Sequence, residues 1–436
     1  MFIHKSFYVK SIDDNALSTD ILSMKKSFFR AFLVFFGLAP CLFGAEIVVP
    51  NLELASRGAM INGDFGIASS IQADIALTGG YKYGITLGLG AEILNLEKAL
   101  SYRRLELLPA FADPPTKAEY DVLVSEMNDR YNNQAYISIR SIKATIRELF
   151  GSPLEMSFFV GRHDKLASGD EFVDYFGTDP IATGLKGFFY YPEGLNNDPF
   201  LRFNGAIHSI LGTGLAFKAY LGNFIPALYL YQDLSFYQNP GGSYLPGCYS
   251  GDFRLLYNGE KAKFEMFFGG TYRKNYDAVL RGGAMAWFGA DSLSLLFQAG
   301  ISYWEAGASI DIDNCYFLME PRLRLEKMGV NLTFFYHPVY FMNQEIMEGG
   351  KQANGRADIN VRIFFGDLNK SAFEAGLETL VNMKVQDGEN LTLWISPFVS
   401  AVTSGLHWNC SVRFNPRYFW DKGDLMEAFI MLRTSF

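Results

Sequence analysis

A strict alternation of apolar and polar side chains runs through residues 63–93 and constrains the fold more than any other feature of the sequence. In the first run, apolar or small residues occupy every second position from Phe65 to Leu77, and polar or small residues such as Asp74 lie between them. A glycine pair follows, and then a second run with the same period. Because successive side chains leave a pleated strand on opposite faces, this period predicts β-strands.

Segments of similar length and period recur from residue 135 to the end of the chain. Strands of about 9–11 residues are long enough to cross a bilayer when tilted, whereas a helix needs about 20 apolar residues, and no such run follows residue 45. We therefore predict an all-β fold, a transmembrane antiparallel up-and-down β-barrel of about 16–18 strands, as one domain over residues 46–436. A soluble exported β-sandwich is the alternative, since it produces the same alternation.

The composition favours a strand-rich membrane protein over a nucleic-acid-binding protein. Aromatic residues make up 16% of the chain, with 40 Phe and 24 Tyr, and 42 glycines accompany them. Aromatic girdles at the two membrane interfaces and crowded turns account for both. The net charge of -8 comes without a run of Lys and Arg, so a basic face for nucleic acid is not expected.

The first 45 residues indicate export. Residues 24–45 begin with two lysines, continue as an apolar run and end in small residues, which is typical of a signal peptide. Residues 1–23 have no pattern and are interpreted as an extension or a mis-assigned start, so either Met1 or Met24 begins the chain. An uncleaved membrane anchor and a lipoprotein signal ending at Cys41 are the alternative interpretations.

The last strand ends the chain on an aromatic residue, with Ala428, Ile430, Leu432, Thr434 and Phe436 on one face. In this feature, and in the pattern of its strands, the chain resembles the outer-membrane β-barrel porin superfamily. The resemblance implies insertion in the outer-membrane bilayer and recognition of the strand ending in Phe436 by the barrel-assembly machinery.

A set of basic residues falls on the polar faces or ends of the strands and is predicted to line the pore: Arg140, Arg162, Lys186, Arg202, Lys218, Arg254, Arg322, Arg324 and Arg362. Such a stripe would guide an anion or a carboxylate along the wall. The other interpretation is structural, with each basic residue paired with a facing acid such as Glu155. The segment around Arg162 also resembles a strand–turn–strand unit of substrate-specific and alginate-export porins, which implies a position near the constriction.

Two loops are distinctive. Residues 95–133 form a long charged loop, and residues 163–179 carry the acids Asp164, Asp170, Glu171, Asp174 and Asp179. The acidic loop is interpreted as solvated, and Ca²⁺ binding through its carboxylates is the alternative. The spacing matches no known metal loop, so neither a metal nor a cofactor is predicted.

The preferred function is a porin-like outer-membrane channel for passive diffusion of small polar or anionic solutes. The alternative is a transporter of hydrophobic molecules like the long-chain fatty-acid family, which has a plug of about forty residues before its first strand. Here the first predicted strand follows only residues 46–60. No Ser–His–Asp motif surrounds the histidines, so no enzymatic activity is predicted. A cell-surface adhesin role for the loops, the substrate, the loops that plug the pore and the oligomeric state all stay open.

Overall fold

The computed structural model describes residues 46–61, 64–79, 81–93, 116–117, 135–179, 181–183, 206–234, 248–272, 278–290, 292–310, 312–337, 356–367, 372–384, 392–416 and 426–434. The predicted signal peptide, nearly all of the long loop 95–133, and the terminal Phe436 lie outside these residues. None of the helices in the described part of the chain is long and apolar enough to span a bilayer.

Eighteen strands account for most of the described residues. They are β1 (Glu46–Ile61), β2 (Asp64–Gly79), β3 (Tyr83–Ile93), β4 (Ala135–Ile146), β5 (Leu154–Leu166), β6 (His208–Ala219), β7 (Phe224–Asp233), β8 (Tyr249–Asn258), β9 (Ala262–Tyr272), β10 (Ala278–Gly289), β11 (Leu293–Glu305), β12 (Cys315–Arg324), β13 (Met328–His337), β14 (Arg356–Asp367), β15 (Phe373–Lys384), β16 (Thr392–Thr403), β17 (Leu406–Phe414) and β18 (Met426–Thr434). A short α-helix, α1 (Glu171–Phe176), follows β5, and 3-10 turns lie at Leu149–Gly151 and Ile312–Asn314.

The strands form one closed sheet. Each strand pairs antiparallel with the next in sequence, and β1 closes the ring by pairing with β18 from Leu52↔Thr434 to Ala59↔Glu427. Because the ring is closed, no strand has a free edge, and the backbone of each strand is hydrogen-bonded within the sheet. A structure that crosses the hydrocarbon core of a bilayer needs this, since no water is present there to bond the backbone N–H and C=O groups. The predicted all-β, up-and-down barrel of 16–18 strands is confirmed, with 18 strands.

The two ends of the barrel differ in the length of their connections. At one end, which we call the turn end, the connections are short: β16 ends at Thr403 and β17 begins at Leu406, and β4 and β5 are joined by residues 147–153. At the other end, the loop end, residues 94–134 join β3 to β4. This asymmetry is typical of outer-membrane barrels, which have short periplasmic turns and longer external loops.

The side chains alternate between the outside of the barrel and its lumen. In β5, Phe158 and Val160 are exposed, whereas Glu155, Ser157 and Phe159 are buried. The exposed apolar side chains form the surface that would meet lipid, and the opposite face holds the polar residues. The faces predicted from the period of two are therefore confirmed in this strand.

The prediction that residues 46–60 precede the first strand is wrong. Glu46–Ile61 is itself β1, paired with β2 along most of its length and with β18 on the other side. The register shifts between Val48 and Asn51, around Pro50, which has no N–H to donate to the sheet. This irregularity interrupts the alternation at the place where the strand begins.

The loop-end halves of β5 and β6 bend into the lumen where Gly161 pairs with Gly212. Gly161 has φ +86°, and a Cβ there would overlap the carbonyl oxygen of Arg140. A Cβ at Gly212 would likewise overlap the carbonyl oxygen of Gln232. Only glycine fits both positions, because the conformation at Gly161 and the close approach at each exclude a side chain. The pairing register of β5 with β6 shifts just beyond this point, between Arg162 and Lys165.

Beyond the glycine pair the chain forms what we call the inward segment, residues 163–179, 181–183 and 206–210. Leu166, Ala167 and Phe172 are fully buried in it, and Ile207 and Ile210 return along the start of β6. These side chains pack against inward-facing apolar residues of β9 to β12, such as Met285 and Leu296. The lumen of the barrel is thus partly filled by its own chain.

Candidate functional site

The inward segment is anchored to the far wall through its backbone at Ala167. The Ala167 N–H donates to Oε1 of Glu265 on β9 at 2.6 Å, and Nε2 of Gln298 on β11 donates to the Ala167 carbonyl at 2.6 Å. Both partners are fully buried. Since β5 and β11 are six strands apart, this contact crosses the lumen.

Glycines on the wall make room for the returning chain. The side chain of Ile207 lies against Gly283 of β10 and Gly300 of β11, and a Cβ at Gly283 would come within 2.8 Å of its Cδ1. The two glycines face each other across the β10–β11 pair. Their lack of side chains leaves a recess into which Ile207 fits.

A second anchor joins the segment to β12. The Thr183 hydroxyl donates to Oε2 of Glu320 at 2.5 Å, and Thr333 donates to the same oxygen at 2.7 Å. Arg322 pairs with the other oxygen of Glu320 at 2.7 Å and donates from Nη2 to the carbonyls of Ile181 and Ala182 at 3.1 and 2.7 Å. Arg322 therefore holds the backbone of the segment against the wall.

Buried ion pairs lie beneath the segment. Asp164 accepts from Lys218 at 2.7 Å and from the Tyr229 hydroxyl at 2.7 Å, and Arg254 lies 3.6 Å away. Nε of Arg254 lies 2.8 Å from Oε1 of Glu265. Charges removed from water to this extent are stable only when they are paired, so each basic residue here compensates an acid.

Glu171 is the titrating group of this cluster. It begins α1, lies 3.9 Å from Arg254, and accepts the backbone N–H of Lys165 at 3.1 Å. Burial, followed by the negative charge of Asp164, raises the pKa of Glu171 to about 7. Burial also raises the pKa of Tyr175 well above its usual value, with Asp164 and Glu171 adding to the effect. The charge of the segment therefore changes near neutral pH.

A second buried cluster braces β7 to β10. Arg281 donates from Nε and Nη2 to the two oxygens of Asp252, each at 2.7 Å, and from Nη2 to the Tyr231 hydroxyl at 2.9 Å. His208 also contacts the Tyr231 hydroxyl, at 3.1 Å. His208 is thus a hydrogen-bonded histidine of the lumen within a structural network.

The wall formed by β14 to β18 and β1 has a different arrangement. Arg362 pairs with Glu374 at 2.5 Å and stacks over Phe398, with its Cζ 4.1 Å from the ring centroid. Arg413 shares Glu427 with Arg57 and stacks over Trp394 at 4.7 Å. These ion pairs join neighbouring strands directly. Stacking on aromatic faces holds the guanidinium groups flat along the wall.

The predicted pore-lining residues fall into several groups. Lys218 and Arg254 lie on inward faces and are fully buried in ion pairs, Arg322 anchors the inward segment, and Arg324 and Arg362 lie on inward faces with their guanidinium groups near Phe364. Arg140 occupies a bulge in β4, and Arg162 is exposed on the same face as Phe158 and Val160. Lys186 and Arg202 lie outside the described residues. That these residues line a pore stays a prediction.

Sequence reasoning missed several members of the buried clusters: Asp233, Asp252, Glu265, Arg281 and Gln298. The sequence feature that could have identified them is a charged or amide side chain at an inward-facing position of an otherwise apolar strand, as at Arg281. The interpretation of residues 163–179 as solvated is wrong for Asp164 and Glu171, which are buried and ion-paired, whereas Asp174 and Asp179 are exposed. Within the described ranges, no three or more His, Cys, Asp or Glu side chains are grouped to hold a metal ion.

No protein-family model matches the chain, and no curated protein matches it. Among solved structures it is similar to OccK3 (OpdO) of Pseudomonas aeruginosa, with 11% identity, 93% of this chain and 99% of that chain covered, and a TM-score of 0.49. It is also similar to OccAB3 of Acinetobacter baumannii, with 12% identity, coverages of 90% and 98%, and a TM-score of 0.47. Salmonella typhi OmpF, solved in complex with daunomycin, is 9% identical, with coverages of 90% and 97% and a TM-score of 0.41.

At these identities the similarities bear on the fold alone, and strand pairing establishes the closed barrel independently of them. The barrel that the resemblance implies is confirmed as a fold by this closed, antiparallel strand pairing.

Proposed function

We propose that this protein is a porin-like channel of an outer membrane that passes small polar solutes passively, with a preference for anions. One observation carries the preference. In four ion pairs of the inward faces and turn-end rim, the arginine is more exposed than its acid, as with Arg322 at 17% against Glu320 at 0% and Arg147 at 40% against Glu155 at 4%. Arg57 with Glu427 and Arg362 with Glu374 have the same order.

The relative exposure of the two groups matters because a solute in the lumen contacts the group that faces the water. In these four pairs the carboxylate is the less exposed group and the guanidinium group is nearer the water. Coulomb interactions strengthen where the wall of a narrow passage excludes water, so the exposed cations would dominate the potential along it. Anions would then be concentrated in the lumen relative to cations.

The cellular setting follows from the same proposal. The lipid bilayer of the outer membrane covers the apolar outer face, and the barrel-assembly machinery recognises the final strand ending in Phe436. Residues 24–45 act as the signal peptide after an extension at 1–23, and residues 46–436 form the single barrel domain. The protein performs no catalysis and needs no cofactor; its partners are lipid and small solutes.

Planar-bilayer recording in a salt gradient tests the proposal. We expect ohmic channels with a reversal potential of the anion-selective sign, and Arg362→Gln should move that potential towards zero because it removes one partly exposed lumenal charge. Lys327→Gln, which removes the same charge from an exposed turn, is the matched control and should leave it unchanged. A cation-selective reversal potential, or one that Arg362→Gln does not alter, contradicts the anion preference.

The alternative, a transporter of hydrophobic molecules, draws on the apolar cluster inside the barrel, which includes Phe172, Ile210 and Met285. These side chains pack against one another, so the cluster serves to hold the inward segment. Inserted protein that conducts no ions but binds a fatty acid would favour this alternative over the channel.

A further inference from the structure

A cavity of about 400 Å³ opens at the turn end, between the inward segment and the wall from β9 to β13. Six of the residues around it matter here: Asp179, Glu260, Lys263, Trp287, Arg324 and Asn331. The volume lies within the range of about 300–1,000 Å³ that is usual for sites binding small molecules.

Two cations face this cavity without an acidic partner among the described residues. Nζ of Lys263 lies 4.6 Å from the centroid of the Trp287 ring, directly across the β9–β10 pair. Cζ of Arg324 lies 4.8 Å from the centroid of Phe364. Both of these side chains contact aromatic rings, in contrast to Lys218 and Arg254, which are paired with carboxylates.

Two carboxylates line the same cavity. Asp179 comes from the inward segment and Glu260 from the turn between β8 and β9, and both are exposed. Among the described residues, neither carboxylate lies within ion-pair distance of Lys263 or Arg324. The cavity therefore holds opposite charges apart within one small volume, whereas Lys218 and Arg254 are paired with carboxylates.

Separated charges of opposite sign complement a molecule that carries both. A carboxylate would lie against Lys263 and Arg324, and an ammonium group against Asp179 and Glu260. A solute with one charge would meet a like charge as well as an opposite one, which is how a site discriminates against it. We propose that this cavity binds a small zwitterion, a molecule with one carboxylate and one ammonium group. It would be a solute-binding site along the channel, and this inference rests on the proposed function.

Tryptophan fluorescence of the refolded full barrel tests this binding without relying on conductance. Glutamine is the zwitterionic probe, and acetate and methylammonium carry one charge each. We expect glutamine to change the emission with saturation and at lower concentration than either single-charge probe. Trp287→Phe should abolish the signal, because this substitution removes the reporter in the cavity.

Two charge-removing variants then assign the two ends of the site. Lys263→Gln should weaken glutamine binding about tenfold and acetate binding with it, since each charge-assisted hydrogen bond is worth about one such factor. Glu260→Gln should weaken glutamine and methylammonium and leave acetate no weaker. Glu148→Gln, on the exposed turn before β5, is the control and should change nothing, and heat-dependent gel mobility confirms that each variant folds.

Equal binding of glutamine and acetate, with no effect of Glu260→Gln, would overturn the zwitterion site in favour of a simple anion site. A fluorescence response that survives Trp287→Phe would show that glutamine binds elsewhere. The proposed channel fails separately, since an absence of ion conductance in the bilayer contradicts it whatever the fluorescence shows.

Discussion

Arg254 and Arg362 each neutralise a carboxylate inside the barrel, but they meet water to different degrees. Arg254 is fully buried beneath the inward segment, within reach of Glu265, Asp164 and Glu171. The side chain of Arg362 is 14% exposed and lies between two phenylalanine rings. The first arginine fixes a piece of chain in the lumen, and the second faces the space that the chain leaves. One residue type thus holds the inward segment on one wall and stays partly exposed to the lumen on the other.

The largest effect is expected at the bend that creates this difference. Gly161→Val should prevent the inward fold or cost about 3 kcal/mol or more, because the new side chain would overlap the backbone at Arg140 and the φ of +86° disfavours it. Yield of refolded barrel, read by heat-dependent gel mobility, measures the effect. Gly84→Ala is the control, since nothing lies within 4 Å of the added carbon. Equal yields for the two variants would show that the bend does not depend on Gly161.

The contrast between the two walls is tested by a matched pair of substitutions. Glu265→Gln leaves Arg254 without its nearest counter-charge in a dry site and should lower the free energy of unfolding by about 3–5 kcal/mol. Glu374→Gln should cost about 1 kcal/mol or less, because water reaches Arg362. Urea unfolding of the refolded protein compares the two. If both variants lost the same stability, burial beneath the segment would not distinguish the walls.

The pH dependence of stability should come from Glu171. Its pKa is raised from 4.5 to about 7 in the folded protein. Between these two pH values the carboxyl group is protonated in the folded protein and ionised in the unfolded chain. The stabilisation is complete below about pH 4.5 and is lost as the pH rises through 7, a loss of about 3 kcal/mol. Glu171→Gln should remove this part of the pH dependence, as measured by unfolding at pH 5 and pH 8. A wild-type protein that gains stability over this interval would contradict the assignment.

The smallest effect is expected at the rim. The side chain of Arg147 is 40% exposed and lies 3.2 Å from Oε2 of Glu155, and the same oxygen accepts the Tyr220 hydroxyl at 3.0 Å. Arg147→Ala should therefore change the free energy of unfolding by about 1 kcal/mol or less, since exposed pairs contribute little. The same urea titration measures it, with Glu265→Gln as the large-effect reference. A loss as large as that of the reference would mean that Glu155 depends on Arg147 for its burial.

The sequence predicted the barrel because alternation is local. In β5, the pleat of the strand alone places Phe158 and Val160 on the outer face and Glu155 on the inner face. These orientations can be predicted without knowing any distant contact. The strand around Pro50 was missed because its bulge breaks the alternation.

The candidate site could not be predicted in the same way, because it is built from contacts between residues far apart in the sequence. Ala167 is 98 residues from Glu265 and 131 from Gln298, and Asp164 is 65 from Tyr229. The acidic composition of residues 163–179 was visible, but whether those acids meet water or arginine depends on where the barrel wall brings its basic residues. The paired glycines at 161 and 212 marked the bend, yet their pairing becomes visible only once the register is known.

Single-channel conductance of a cysteine-labelled barrel tests most directly whether the inward segment borders the passage. After replacement of Cys248, Cys315 and Cys410 by Ser, one cysteine is placed at Val173 of α1 or at Val160 on the outer face, which are 38% and 36% exposed. A bulky water-soluble maleimide at Val173→Cys should sharply lower the conductance, and the same reagent at Val160→Cys should leave it unchanged. Complete labelling at Val173→Cys without loss of conductance would contradict the account.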